Sequence, residues 1–102
     1  MTDWAITDLS MTDRAATFAG KVVLVTGSSS GAGVSIARAF ARHGARVAVH
    51  CRSDLAAAES VVARIVSEGG AAAAFKADLA DEAAPDSLVS AVEGALGPVS
   101  IL

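Results

Sequence analysis

The sequence predicts an α/β fold, a parallel sheet with helices packed on its faces, and three observations predict it. Short apolar runs rich in β-branched residues, such as Val22-Val23-Leu24-Val25, alternate with longer segments whose apolar residues recur at helical spacing. Gly, Gly-Gly or Gly-Pro stands at the end of each helical segment. The runs are joined by segments of ten residues or more, as right-handed crossovers between parallel strands require and hairpins do not.

The elements follow in order. Residues 1–20 carry Ser, Thr and Asp without a sustained period and are expected to form a flexible arm, leaving 21–102 as the domain. Met-Thr-Asp occurs at 1–3 and again at 11–13, which makes Met11 a second candidate start. Residues 22–25 read as a buried parallel strand. A Gly/Ser loop follows, and then Val34, Ile36, Ala37, Phe40 and Ala41 mark a helix that Gly44 stops. Arg46 to Cys51 reads as the second strand. Ser53 or Asp54 is placed to cap a helix carrying Leu55, Ala58, Val62, Ile65 and Val66 and closed by Gly69-Gly70.

Residues 71–77 form a weak third strand, with Phe75 its one large side chain. Asp81 is the expected cap of a third helix, with Pro85 in its first turn and Leu88, Val89, Val92 and Leu96 as its stripe. Gly97-Pro98 stops that helix, and Val99-Ser100-Ile101-Leu102 begins a fourth strand. The order is βαβαβαβ. Doubly wound sheets continue beyond a fourth strand, so the pattern is expected to be truncated there.

Composition narrows the function classes. With 11 acidic and 8 basic residues, the net charge of −3 provides no basic face for nucleic acid or an anionic membrane. Apolar residues make up 53% of the chain, too many for disorder, but 24 of them are Ala, so the core is thin and needs close helix–sheet packing. No run reaches the ~18 apolar residues of a membrane span. The N-terminus has no basic stretch leading into an apolar one, so a soluble, cytoplasmic protein is expected. Cys51 is the one cysteine, and His43 and His50 lack metal-ligand spacing, so no metal site is expected. His43, at a helix end, is expected on the surface, and His50 to line the end of the second strand.

The loop Thr26-Gly27-Ser28-Ser29-Ser30-Gly31-Ala32-Gly33 leaves a strand and opens a helix. In that context a Gly-rich turn is a dinucleotide loop of the Rossmann type. Gly27 permits the tight turn, Gly31 lets backbone approach phosphate, and Gly33 lets the helix pack closely. Ser28, Ser29 and Ser30 are candidate hydroxyl donors beside the free N–H groups of the helix start. A P-loop would need Lys after Gly31, and Ala32 stands there.

The second strand is expected to end beside the adenosine ribose. NAD sites usually place an acid there, ~20 residues beyond the glycines. Here the position is Cys51, followed by Arg52 and Ser53. A carboxylate would repel the extra phosphate of NADP, whereas Arg52 would attract it, so NADP is expected over NAD. Exchanging both features, Cys51→Asp with Arg52→Leu, is the change expected to reverse that choice. After the third strand, Asp78 is a candidate acceptor for the adenine amino group and Leu79 a candidate cover for its ring.

Together these residues resemble the short-chain dehydrogenase/reductase family, in the cofactor-binding part of its NADP-preferring members, from about Phe18 onwards. Residues 20–27 resemble that family's first strand and the start of its Thr-Gly-x-x-x-Gly-x-Gly loop. Residues 44–50 with Arg52-Ser53 resemble its second strand, Ala77-Asp78-Leu79 its adenine-binding pair, and residues 97–102 the approach to its fourth strand. Ala32 replaces the usual Ile and Ser100 the usual Asp. The resemblance implies hydride transfer between a nicotinamide and a carbonyl or alcohol carbon, a small-molecule substrate, and a homo-oligomer only for the full-length enzyme. It also implies a catalytic Ser and a Tyr-x-x-x-Lys pair beyond residue 102. The sequence contains no Tyr, so none of its residues is assigned a catalytic role. The alternative is a non-catalytic nucleotide-binding module or an inactive fragment.

Overall fold

In a computed structural model, residues 18–101 are described. The elements are β1 (Val22–Val25), α1 (Gly31–Arg42), β2 (Arg46–Cys51), α2 (Leu55–Ser67), β3 (Ala71–Lys76) and α3 (Ala84–Leu96). The strands form one parallel sheet in the order β1-β2-β3. Of the expected fourth strand, the described residues show one parallel bridge, Ile101 against Val23. Its backbone still lies along β1, with Ser100 N donating to Val22 O and Leu24 N to Ile101 O. The chain therefore steps outward from β1 to β3 and then returns to the free side of β1.

That path decides which face each helix covers. Right-handed crossovers from β1 to β2 and from β2 to β3 put α1 and α2 on one face, and the return crossover puts α3 on the other. Strand side chains alternate accordingly. Val23, Val47, Val49 and Cys51 meet Ala37, Ala41, Ala58, Val61 and Ile65 on the first face. Val22, Leu24 and Ala48 meet Leu88 and Val92 on the second. The Ala-rich third strand forms because it lies against β2 from Ala71 to Lys76, in register with Arg46 to Cys51, and packs under α2.

The helix starts refine the sequence reading. Asp54 caps α2, accepting from Ala57 N at 3.0 Å, so Ser53 is left outside the helix. Asp81 is not the cap of α3. Its carboxylate accepts from Ala83 N, two residues on, and the helix starts only at Ala84, next to Pro85. The side chain makes an Asx turn that leads into the helix.

The arm expected over residues 1–20 lies outside the described residues as far as 17. Phe18 packs on the domain, its ring edge-on to Phe40 at 5.2 Å between centroids and its N–H donating to His43 O. His43 is consequently buried, not on the surface as its place at a helix end predicts. Tertiary cover from Phe18 overrides the local signal.

One stability prediction arises here. Gly94 sits near the end of α3, and a Cβ built there meets nothing within 4 Å. Gly94→Ala removes backbone freedom from the unfolded chain without a clash, so it should stabilise by about 0.5–1 kcal/mol. Denaturant melts of the two proteins should show a higher midpoint at unchanged slope.

Candidate functional site

Three loops leave the carboxyl ends of the strands at the same edge of the sheet: 26–30 after β1, 52–54 after β2 and 77–83 after β3. With the fourth segment lying beside β1 opposite β2, the strand order reverses at β1. Open α/β sheets bind ligands in the crevice outside the strand ends at such a reversal.

The glycine loop is shaped by two left-handed residues, Gly27 at φ +64° and Gly31 at φ +60°. A Cβ at either would meet no atom within 4 Å, so the space over the loop is open. Ser30 is the N-cap of α1 but makes no side-chain cap hydrogen bond, and no acid stands in the first turn. The N–H groups opening α1 have no intrahelical acceptors and no capping side chain, so the positive end of the helix dipole faces open space. That is the chemistry of an anion cradle, and it fits the pyrophosphate of a dinucleotide.

Gly33 fixes how close α1 lies to this loop. A Cβ there would fall 2.4 Å from Gly27 O and 2.8 Å from Ser28 Cα. Ala32, Ser29 and Ser30 line the same turn, with Ala32 and Ser30 exposed and Ser29 half-buried. Ser28 differs from the other two serines. It is buried, its hydroxyl donates to Val25 O at 2.6 Å and accepts from His50 N at 3.0 Å, and its own N–H donates to His50 O. Its hydroxyl is consumed in tying β1 to β2 and is not a donor for a ligand.

At the second strand end, Cys51 is 1% exposed, and burial with the nearby Asp54 charge pushes its thiol up from the usual range. It is a covered, unreactive thiol. Arg52 is the opposite case: its side chain is 78% exposed and its Nε lies 3.7 Å from Asp78 Oδ1. Ser53 is exposed beside it. Asp78 Oδ1 also accepts from Ala80 N, while Oδ2 accepts no hydrogen bond among the described residues. Leu79 is an exposed large apolar residue next in the chain. Arg52, Ser53, Asp78 and Leu79 thus come together at one rim, and Gly27, Ser29, Ser30, Gly31, Ala32 and Gly33 form the adjoining loop.

Sequence reasoning missed the role of His50, which is more than a lining residue. Gly27 N donates to its Nδ1 at 2.9 Å, and its Nε2 lies 2.8 Å from Ala77 O. No local signal reveals this, because the partners are 23 and 27 residues away. Among the described residues no metal-binding cluster occurs, and no helix is long and apolar enough to cross a membrane.

The chain matches the profile of the short chain dehydrogenase family over residues 21–102. It is 43% identical over 82 residues to 3beta-hydroxysteroid dehydrogenase 1 of Eggerthella lenta, covering 80% of this chain and 31% of that protein. It is 42% identical over 85 residues to D-threitol dehydrogenase of Mycolicibacterium smegmatis, covering 81% and 32%. Among solved structures it superposes on hydroxysteroid dehydrogenase from Escherichia coli with a TM-score of 0.81 at 35% identity, covering 89% of this chain and 38% of that one. A metagenomic short-chain oxidoreductase in complex with NADP gives 0.78 at 34% identity, covering 83% and 38%. The chain spans about a third of the length of such relatives. With the glycine loop, the parallel sheet and the reversal at β1 all in place, the chain belongs to the short-chain dehydrogenase family.

Proposed function

We propose that this chain is the dinucleotide-binding part of an oxidoreductase and that it takes NADP(H) in preference to NAD(H). The observation that carries the reading is the uncapped start of α1 beneath the open face of Gly27 and Gly31. Backbone N–H groups there hold the pyrophosphate, with Ser29 and Ser30 as hydroxyl donors and Ala32 and Gly33 keeping the helix start narrow. Arg52 and Ser53 hold the phosphate on the adenosine ribose. Asp78 accepts from the adenine amino group through Oδ2, and Leu79 covers the ring. The cofactor supplies or accepts hydride at a carbonyl or alcohol carbon of a small-molecule substrate. The relative solved with NADP supports the choice of cofactor class. Calorimetric titration with NADP+ and NAD+ tests the reading: saturable binding of NADP+, tighter than NAD+, is expected, and no binding of either would overturn it.

One observation favours a second reading for the 102 residues taken alone. The sequence contains no Tyr, so it holds no side chain for the proton transfer that accompanies hydride transfer in this family. By itself the chain is then a nucleotide-binding module. Assayed with NADPH and a panel of ketones, or NADP+ and alcohols, it should show no turnover above a protein-free control.

A further inference from the structure

A buried histidine links the two loops that the proposed site uses. His50 is 4% exposed at the penultimate position of β2, and both of its ring nitrogens are engaged. Gly27 N–H can only donate, so Nδ1 accepts; the ring proton then sits on Nε2 and is donated to Ala77 O. The ring is neutral and its tautomer is set by its partners. Both are backbone groups in loops, at the first turn of the glycine loop and immediately before Asp78 and Leu79. The two are not neighbours in the sheet: β1 and β3 each pair with β2, and no strand joins them directly. One imidazole spans that gap. The backbone of the same residue holds Ser28 on one side, and the adjacent Cys51 O accepts from Ala77 N on the other.

An apolar side chain would fill this place without the cost of burying two polar nitrogens. The imidazole contributes a fixed distance between two loops whose strands, β1 and β3, are each paired with β2. We propose that His50 is a positioning residue of the dinucleotide site, its neutral ring holding the phosphate loop and the adenine-side turn as one unit. The proposal deepens the cofactor reading above and rests on it. A ligand touching both loops gains from their being pre-set; a ligand touching one does not.

Three variants of the full chain divide the two contacts. In His50→Asn the amide oxygen overlaps Nδ1 and can accept from Gly27 N, but nothing reaches Ala77 O. In His50→Gln the amide nitrogen overlaps Nε2 and can donate to Ala77 O, but Gly27 N is left without an acceptor. His50→Leu loses both. The probes are NADP+, which spans the two loops, and adenosine 2′-phosphate, which reaches only the Arg52 and Asp78 side.

Relative to the parent, His50→Leu is expected to bind NADP+ at least roughly tenfold more weakly, from two lost buried hydrogen bonds. It should bind adenosine 2′-phosphate within about threefold, and the Asn and Gln variants should recover part of the NADP+ loss. Imidazole nitrogen spectra of the parent should show the neutral Nε2–H form. Equal losses for both probes, or an Nδ1–H tautomer, would overturn the proposal. If His50→Leu does not fold, Asn and Gln variants that both bind NADP+ like the parent overturn it equally. A parent that binds neither probe overturns the cofactor reading and this one with it; a binding parent with unaffected variants overturns this one alone.

Discussion

Gly33→Ala is expected to weaken dinucleotide binding by about a hundredfold or more and to destabilise the domain by roughly 3 kcal/mol. The added methyl would sit 2.4 Å from Gly27 O, 2.8 Å from Ser28 Cα and 3.0 Å from Gly27 C. All three are backbone atoms, so no side chain can swing aside. Nor is the loop free to retreat: Ser28 is hydrogen-bonded to Val25 O and to both backbone groups of His50, and Gly27 N to the His50 ring. The alternative is for α1 to lift, which opens the packing of Val34 and Ala37 against Val23. Either path moves the helix start relative to the glycine loop. Denaturant melts and titration with NADP+ read the two effects. Gly94→Ala, the same change in open space, is the control and should run the other way. A Gly33→Ala protein with parental stability and affinity would mean that α1 and the loop are not held against each other.

The parts of this site that were legible in the sequence are those encoded locally. The Val-rich run of β1, the glycines and the period of α1 are contiguous, and the loop follows from them. The placement of Arg52 and Asp78 at the rim is legible because Arg52 follows directly on β2 and Asp78 lies two residues beyond β3. Elsewhere the determining contacts are distant in sequence. Ser28 looks like its neighbours Ser29 and Ser30, and only its burial between β1 and β2 separates it from them. His43 follows helix propensity to a surface position, and Phe18 then covers it. The Ala-rich segment 71–76 has little strand propensity, and pairing with β2 gives it its conformation. The fourth segment alternates like a strand, and among the described residues Ile101 bridges to β1.

Arg52→Ala is expected to remove the preference for NADP+ by lowering its affinity ten- to a hundredfold while leaving NAD+ nearly unchanged. A hydrogen bond from a guanidinium to a phosphate is worth roughly 1.5–3 kcal/mol, which sets that range. The side chain is available for it. The one ion pair it makes among the described residues, with Asp78, is 3.7 Å long, beyond hydrogen-bond distance, and both groups are in water, where such pairs contribute little. Removing the cation should level the two cofactors, not reverse them, because Cys51 supplies nothing to the ribose diol of NAD+. The pair Cys51→Asp with Arg52→Leu, expected from the sequence to reverse the choice, meets an obstacle in the fold. Position 51 is 1% exposed and packed against the α1–α2 face, and the burial that raises the Cys51 thiol would also resist a charged carboxylate. That double variant should therefore lose stability before it gains NAD+. Titrating parent and Arg52→Ala with both cofactors at low and high salt separates the terms, since a charge contact at an exposed Arg weakens as salt rises. An unchanged ratio of affinities in Arg52→Ala, or a parent that binds both cofactors equally at low salt, would make Arg52 a solvated surface cation with no part in cofactor choice.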